Sequence, residues 1–504
     1  MDADLKLRTA RTIKWNVIDR VSSQLLYAVT GIVLARVLTQ EDFGLVGAIL
    51  VFQAFALLFV DSGFSYALIQ RKNPTHLDYS TVLWFNVGVA VLLYVILWFS
   101  APLIAYCFQN DMRLVPLSRV MFLSFIINAA SIVQTNRLMK QMDVRMIAVS
   151  NILGLVASAV VGVTLALSGF GAWAIVWQTI TLNSVKTIVL WVTSRWLPLL
   201  KFSWQSIKSI FAVGSAMMIS SFFNVLFQNI YSFFIGNRVN LVGLGYYTQA
   251  DKWSKMGISS LSQVLTSSFL PVLSQFQDDK ERFARATAKM NRFTAYLLFP
   301  AMGFLVMMSE PIFHVLFGSK WDASIQLFQL LLLRGVFVVL SSLYNNYILS
   351  LGKAKMLIYV EALKDGAALV ALIATLPMIA LSYPDDLTYG IKILLVGQVA
   401  ASALTYVVLL FVTAKLTYRT VWSYITDLLP YFAETLLIMI PLAVILLNVE
   451  NALVTLALQV LVAAVLYLGV NMLLRSKIQR DAFDYVLHRF SSAKTAKESE
   501  DRND

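Results

Sequence analysis

The sequence is poor in the residue types on which most catalytic and metal sites depend. It contains one cysteine, Cys107, which excludes a disulfide framework and a thiolate metal site within the chain. The three histidines, His76, His314 and His488, lie far apart and match neither a zinc spacing nor the order of a Ser-His-Asp triad. The phosphate-binding pattern GxxxxGK is absent as well. These absences argue against an enzyme, an ATP-driven motor and a bound cofactor.

Charged residues are also scarce. They make up 13% of the chain, whereas a soluble domain has about 25%. Hydrophobic residues account for 59%, and the mean hydropathy is +0.72. This composition predicts an integral membrane protein.

Fourteen apolar runs are long enough to cross a membrane, whose hydrocarbon core of roughly 30 Å needs about 20 helical residues. The runs show no strict alternation, so they predict α-helices and not a transmembrane β-barrel. We expect an all-α integral membrane protein with fourteen transmembrane helices. The predicted spans are 15–38, 44–69, 82–107, 116–139, 146–168, 171–195, 210–235, 242–270, 294–317, 323–350, 356–380, 388–413, 426–447 and 452–474.

Every second loop is basic, and the loops between are nearly free of charge. The basic set holds about 28 of the 40 Lys and Arg. Because basic loops stay in the cytoplasm, both termini are predicted to be cytoplasmic. This rule and contact with anionic lipid headgroups account for the net charge of +12. The charge therefore does not indicate nucleic-acid binding.

Two segments recur about 200 residues apart. Residues 100–108 match 309–317 at a shift of 209, and residues 34–44 have a weaker match at 235–245, a shift of 201. Helices 1–6 and 7–12 are therefore predicted to be two pseudo-symmetric six-helix lobes with the same topology, around a central cavity. The predicted domains are 1–200, 201–420, helices 13 and 14 in 421–475, and a cytoplasmic polar tail, 476–504.

Several charges fall near the middle of predicted helices, where each costs about 2.5–3.5 kcal/mol unless it faces a partner or water. One interpretation is that they form structural salt bridges, such as Asp19 with Arg20, Asp251 with Lys252, or Glu361 with Lys364 and Asp365. The other is that some cations bind an anionic headgroup. Arg334 is the first candidate, because no acidic residue lies within a helical turn or two of it, and Lys364 and Lys252 follow.

Amide and aromatic side chains in two helices suit a carbohydrate, because amides hydrogen-bond hydroxyls and aromatic rings stack on pyranoses. The candidates are Asn224 and Gln228 in helix 7, and Tyr344 and Asn345 in helix 10. The alternative is that these side chains make interhelical hydrogen bonds, worth about 0.6 kcal/mol each.

Several motifs resemble the polysaccharide transporter family of the multidrug/oligosaccharidyl-lipid/polysaccharide exporter superfamily. Within this family, the motifs are most similar to those of Wzx-type flippases of the colanic acid exporter branch. The motifs are Gly31-x-x-Leu-Ala-Arg-x-Leu-Thr-x-x-Asp-Phe-Gly-Leu45, Asp61-Ser-Gly63, Ala67-Leu-Ile-Gln-Arg-Lys72, Asp78-Tyr-Ser-Thr-x-x-Trp-Phe-Asn86, Tyr247-Thr-Gln-Ala-Asp-Lys-Trp253 and Val315-Leu-Phe-Gly-Ser-Lys-Trp321.

The resemblance implies a non-enzymatic flippase in the bacterial cytoplasmic membrane. Its passenger would be an undecaprenyl-pyrophosphate-linked oligosaccharide, and its partners would be membrane lipids, a polysaccharide polymerase and other assembly proteins. It also implies a cationic cavity for the pyrophosphate, a role open to Arg334, Lys364 and Lys252, and coupling to an ion gradient through a carboxylate such as Asp61 or Asp251.

Two other classes of protein stay open. A small-molecule drug antiporter normally has twelve helices and an acidic cavity, so the two extra helices and the buried cations count against it. A membrane polysaccharide polymerase or ligase carries a sizeable extracytoplasmic loop, whereas the outer loops here have about ten residues or fewer.

Overall fold

The computed structural model describes residues 3–61, 64–379, 381 and 386–481, and within this part the chain is helical, without a β-strand. Two short 3-10 helices, Ser319–Trp321 and Leu376–Met378, accompany the α-helices. The seventeen α-helices are α1 (Ala3–Val37), α2 (Gln40–Asp61), α3 (Phe64–Gln70), α4 (His76–Cys107), α5 (Leu114–Met121), α6 (Leu123–Lys140), α7 (Val144–Leu167), α8 (Trp173–Ser194), α9 (Trp204–Arg238), α10 (Leu241–Ser274), α11 (Lys280–Met307), α12 (Ser309–Leu316), α13 (Asp322–Ser350), α14 (Lys355–Thr375), α15 (Tyr389–Leu416), α16 (Val421–Asn448) and α17 (Ala452–Leu473).

In the described residues, each of the fourteen predicted runs falls on one or two helices, which confirms an all-helical membrane protein. Ten helices in the described ranges are long and apolar enough to cross a membrane. The helices α11 and α12 meet at 62°, and the number of candidate spans is eleven if this bent pair is counted as one span. The helices α9, α10 and α14 are not among them. In α14 the reason is four charges, Lys355, Glu361, Lys364 and Asp365, within 21 residues. A count of fourteen spans stays a prediction.

The chain forms two compact units, Met1–Gln249 and Ala250–Asp504. The boundary lies inside α10 and not between residues 200 and 201, where we expected the lobes to divide. The helix α9, predicted as the first helix of the second lobe, packs on α2, α3 and α4 of the first unit. This division does not test the predicted lobes. The part of the predicted tail beyond residue 481 lies outside the described residues.

The segment between α8 and α9 has no regular structure, yet side chains of α4 hold it in place. The Trp84 indole N–H donates to the Leu199 carbonyl at 2.8 Å, and the Leu199 amide donates to the Ser80 hydroxyl at 2.9 Å. The Ser203 amide donates to the Thr81 hydroxyl at 3.2 Å. These bonds satisfy backbone groups that lack a helical partner. The motif of residues 78–86 therefore fixes a connector in the structure.

The repeated segments 34–44 and 235–245 meet in the first unit through two glycines. A Cβ on Gly44 would lie 1.8 Å from the Leu241 carbonyl oxygen, and a Cβ on Gly245 would lie 1.9 Å from the Gln40 carbonyl oxygen. Only glycine allows backbones to approach so closely. The first turns of α2 and α10 are thus packed against each other in a reciprocal way.

In the second unit, α16 and α17 pack on α11 through aromatic and amide side chains. The Tyr467 hydroxyl donates to the Tyr296 carbonyl at 2.7 Å, and the Asn471 amide donates to Glu434 at 2.5 Å. The Gln459 amide donates to the Leu442 carbonyl at 2.9 Å. These hydrogen bonds tie the three helices together, and they satisfy polar groups that a membrane interior cannot hydrate. The other side of α16 lies towards α13 and α15.

Candidate functional site

Arg334, the first headgroup candidate, lies near the middle of α13 and is partly buried. Its Nε is buried without a hydrogen-bond partner, and no ion pair of Arg334 is found in the described part of the chain. The next residue, Gly335, packs against Ile258 of α10, where a Cβ would approach the Ile258 side chain to 2.5 Å. A side chain at position 335 would therefore require the Ile258 side chain to shift. A cation therefore lies near the middle of α13 without an acidic partner among the described residues.

Lys364, the second candidate, is engaged within its own helix. Its ammonium pairs with Glu361 and lies 3.9 Å from Asp365. This pair is one of the structural salt bridges that the sequence left open as the alternative to headgroup binding. The cluster carries one positive and two negative charges, so it does not attract an anion in this conformation.

The pairing on α10 differs from the prediction. Asp251 pairs with Lys255 at 2.6 Å and not with Lys252. Side chains at i and i+4 share a face of a helix, whereas neighbours point about 100° apart, so the nearer residue in sequence is the poorer partner. Lys252 is exposed, with its ammonium 5.6 Å from the centre of the Trp253 ring. It stays a headgroup candidate.

In the first unit, Asp19 does not pair with Arg20, the partner that the salt-bridge interpretation gave it. Asp19 accepts hydrogen bonds from the Asn151 amide on α7, at 3.1 and 3.2 Å, and from the Ser23 hydroxyl at 3.3 Å. Arg20 is exposed. The reason is again geometric, because adjacent side chains leave a helix in different directions.

Asp61, the ion-coupling candidate, lies at the end of α2 and is partly buried, and the two residues that complete its motif lie outside the described ranges.

The predicted glycan-lining residues have different environments. Asn224 and Gln228 are exposed on one face of α9 and hydrogen-bonded to each other. Asn345 is partly buried, and its carbonyl oxygen has no partner. Tyr344 is 0% exposed, which corrects its prediction as a lining residue. Its ring is covered by three other tyrosines, at 347, 406 and 424.

A cavity of about 830 Å³ lies inside the second unit, between α11, α13, α15 and α16. Most of its lining is apolar, and Tyr406, which stacks on Tyr344, contributes one aromatic wall. The polar residues Gln326, Gln329 and Lys392 lie at the end where α13 and α15 begin. No sequence motif marks the cavity, because its walls come from four helices that are far apart in the chain.

A buried charge cluster lies at the opposite end of the same helices. The Asp427 carboxylate, 3% exposed, accepts from Arg292 and from Arg419, both at 2.6 Å. The Arg419 guanidinium also lies over the Tyr424 ring, 4.4 Å from its centre. Both arginines belong to predicted cytoplasmic loops, so the cluster joins α11 and α16 at the predicted cytoplasmic side. It is a structural ion pair with an excess of one positive charge.

No group of His, Cys, Asp or Glu that could hold a metal ion occurs among the residues that the structure describes. The described residues present an arginine without an acidic partner in the middle of α13, an exposed lysine on α10 and an apolar cavity. Neither Arg334 nor Lys252 belongs to the lining of the cavity, so the cations and the cavity are separate features of the second unit.

Comparison with known proteins identifies the family. A model described as "Polysaccharide biosynthesis protein" matches residues 33–326. The chain is 27% identical over 373 residues to the teichuronic acid biosynthesis protein TuaB of Bacillus subtilis (strain 168), covering 72% of this chain and 76% of TuaB. It is 26% identical over 350 residues to the succinoglycan biosynthesis transport protein ExoT of Rhizobium meliloti (strain 1021), covering 69% and 70%. It is 27% identical over 340 residues to the lipopolysaccharide biosynthesis protein WzxC of Escherichia coli (strain K12), covering 66% and 68%.

The fold is similar to those of solved transporters. The lipid II flippase MurJ, in an inward closed conformation, matches with a TM-score of 0.73 at 15% identity, over 92% of this chain and 100% of MurJ. An inward-facing multidrug resistance MATE family transporter matches with a TM-score of 0.59 at 15% identity, over 80% and 99%. These two structures establish the fold, and the family model matches more than half of the chain. The protein therefore belongs to the polysaccharide biosynthesis protein family.

Proposed function

We propose that this protein is a flippase that moves undecaprenyl-pyrophosphate-linked oligosaccharide units across the bacterial cytoplasmic membrane for surface polysaccharide synthesis. The family and the relatives support a role with polysaccharide. The fold, similar to that of the lipid II flippase MurJ, supports transport without chemical change of the passenger. A polymerase and other assembly proteins are the expected partners.

The observation that carries the proposal is the unpaired Arg334 guanidinium within α13. A buried charge without a partner is costly, and a passenger that supplies the countercharge would repay that cost. A pyrophosphate offers several acceptor oxygens, and a guanidinium binds phosphate through two parallel hydrogen bonds. Lys252, exposed on α10, is a second cation for the same headgroup. The exposed amides of Asn224 and Gln228 are hydrogen-bonded to each other, and their remaining donors and acceptors would bind the glycan.

The proposed mechanism is alternating access by fourteen helices, with two six-helix lobes, two further C-terminal helices and both termini in the cytoplasm. In the predicted topology, Gly44 and Gly245 lie at the outer ends of helices 2 and 8. We propose that their reciprocal contact, in which each glycine packs on the backbone of the other segment, is part of an outer gate. The passenger would load from the cytoplasm, and separation of these two helix ends would release it outside.

A drug antiporter is the second candidate, because the MATE transporter shares the fold. A cationic drug needs a carboxylate that is free to accept it. Asp251 and Glu361 are instead paired with lysines, and Asp19 and Glu434 accept hydrogen bonds from the amides of Asn151 and Asn471. Arg334, in contrast, has no acidic partner among the described residues, and its Nε has no hydrogen-bond partner. The distribution of paired and unpaired charges therefore favours an anionic passenger.

Depletion of the protein, followed by leaflet-specific labelling of undecaprenyl-linked glycans, tests the proposal. We expect lipid-linked units to accumulate on the cytoplasmic side. Arg334→Ala should abolish export, and Arg334→Lys should retain part of it, at a normal level of the protein in the membrane. Arg238→Ala, on an exposed side chain of α9, is the matched control. Unchanged sidedness after depletion, together with a loss of drug resistance, would favour the antiporter.

A further inference from the structure

The cavity of the second unit is elongated along the helix axes. Its lining on α13 runs from Gln326 to Leu340, which corresponds to about 21 Å at 1.5 Å per residue. This length is a large part of the roughly 30 Å of a hydrocarbon core. The volume of about 830 Å³ lies within the range of about 300–1,000 Å³ that is typical of small-molecule sites. The shape therefore fits an extended chain.

The cavity is apolar along its sides and open laterally. Phe299, Phe337 and Met439 belong to its walls, and Leu333 and Leu436, on two different helices, are each 47% exposed. Exposed apolar side chains around a groove mark a surface that binds an apolar partner. A sugar would leave its hydroxyls unpaired here, whereas an aliphatic chain would not.

One end of the groove is polar and carries hydrogen-bond donors. The Lys392 ammonium pairs with Asp386 and donates to the Gln326 carbonyl oxygen at 2.6 Å. An ammonium has three donors, so one is left over at the cavity wall. The Gln326 amide nitrogen adds further donors beside it. The site is suited to an acceptor oxygen at the end of an apolar chain.

The charges at this end indicate how much negative charge it accepts. Asp386 neutralises Lys392, so the pair has no net charge. A phosphodiester carries one negative charge, and it can accept hydrogen bonds from the Lys392 ammonium and the Gln326 amide. The Asp386 carboxylate repels this single charge only modestly. A pyrophosphate carries more charge, and its repulsion by the nearby carboxylate is greater. The polar end therefore favours a phosphodiester over a pyrophosphate.

We propose that this groove binds one membrane phospholipid, with an acyl chain along α13 and α16 and its phosphodiester on Lys392 and Gln326. The bound lipid is a resident of the protein and is distinct from the passenger. The site does not depend on the proposed flippase function, because it is built from the groove and its polar end alone.

Photolabelling of the full-length protein in phosphatidylglycerol vesicles tests this site. The probe is a phosphatidylglycerol with a diazirine on one acyl chain, and labelled residues are identified by peptide mass spectrometry. We expect labels on α13 and α16 residues of the groove, competed by unlabelled phosphatidylglycerol. Lys392→Met should raise the probe concentration for half-maximal labelling by about tenfold, because a charge-assisted hydrogen bond is lost. Lys415→Met, on an exposed side chain at the other end of α15, should leave it unchanged.

A second variant and two competitors keep the test decisive. Leu436→Trp fills the groove and should reduce labelling while Lys392 is intact, and thermal unfolding confirms that each variant is folded. Labelling that is indifferent to both substitutions would overturn the site. Stronger competition by undecaprenyl pyrophosphate than by phosphatidylglycerol would assign the groove to the passenger. Competition by millimolar inorganic phosphate would show a phosphate site that needs no lipid chain.

Discussion

Gly44 and Gly245 are equivalent residues of the two repeated segments, and each packs against the backbone of the other segment. The hypothetical Cβ atoms would lie 1.8 Å from the Leu241 oxygen and 1.9 Å from the Gln40 oxygen. The weak match between residues 34–44 and 235–245 thus corresponds to a reciprocal contact in the structure. It also explains why a glycine ends both segments.

Gly245→Ala should force the ends of α2 and α10 apart, since the added methyl group cannot fit at that distance. We expect a cost of about 3 kcal/mol to the closed contact, the upper part of the range for overpacking. The measurement is the rate at which an impermeant maleimide labels Val46→Cys, a position now 3% exposed, in a Cys107→Ser background. The rate should rise several-fold. Gly88→Ala is the control, since nothing lies within 4 Å of its Cβ, and equal rates in both variants would contradict the closure.

The hydrogen bonds from α4 to the connector should protect that connector from proteolysis. Trp84→Phe removes one of them and should cost about 1 kcal/mol. Trypsin should then cleave at Arg195 or Lys201 about five times faster in inside-out vesicles. Trp177→Phe, on a half-exposed side chain of α8, serves as the control. No change in Trp84→Phe would mean that the connector is held by packing alone.

Asp427 should be the most sensitive carboxylate of the second unit. Asp427→Asn leaves Arg292 and Arg419 without their shared countercharge, and breaking a buried pair in this way costs about 3–5 kcal/mol. The exposed pair of Glu281 and Arg285 is the comparison, because Glu281→Gln should cost under about 1 kcal/mol. Thermal unfolding in detergent measures both. Similar effects of the two substitutions would show that water already reaches Asp427.

The loop between α4 and α5 should contribute stability that depends on pH. Hydrogen bonds from the Arg113 guanidinium, as short as 2.6 Å, lower the pKa of Asp111 below its usual value. A lowered pKa in the folded state gives stability that is present above the unfolded pKa of about 3.9 and is lost as the pH falls through the folded pKa. Arg113→Gln should cost about 0.5 kcal/mol at pH 7, a small value because Arg113 is 54% exposed.

The check is a comparison of melting temperatures against pH. The difference between Arg113→Gln and the unaltered protein should shrink as the pH falls below about 4. A difference that stays constant down to strongly acidic pH would assign the effect of Arg113 to packing instead.

The sequence predicted the helices well because long apolar runs have few alternatives in a membrane. It was less able to predict which buried groups meet. The i,i+3 pair of Glu361 and Lys364 could be inferred from helical geometry, whereas the contact of Asp19 with Asn151 depends on which helices pack together. Tyr344 illustrates the same limit, since its burial depends on tyrosines of α15 and α16.

Lys392 was missed for a different reason. It lies four residues into α15, where a lysine normally extends to the membrane surface and needs no partner. Its role follows only from Asp386, which precedes the helix, and from Gln326 on α13. A local pattern cannot contain such information, because the two partners are on different elements.

The connector between α8 and α9 has a consequence for protein engineering. Loops without regular structure usually tolerate extra residues, but tolerance depends on how the backbone is bonded. Here the backbone groups of Leu199 and Ser203 are matched, one by one, to side chains spaced along a rigid helix. Inserting even one residue between them would take one of these groups out of register. The connector is therefore fixed in length, and it is a poor site for an epitope tag or a fluorescent domain.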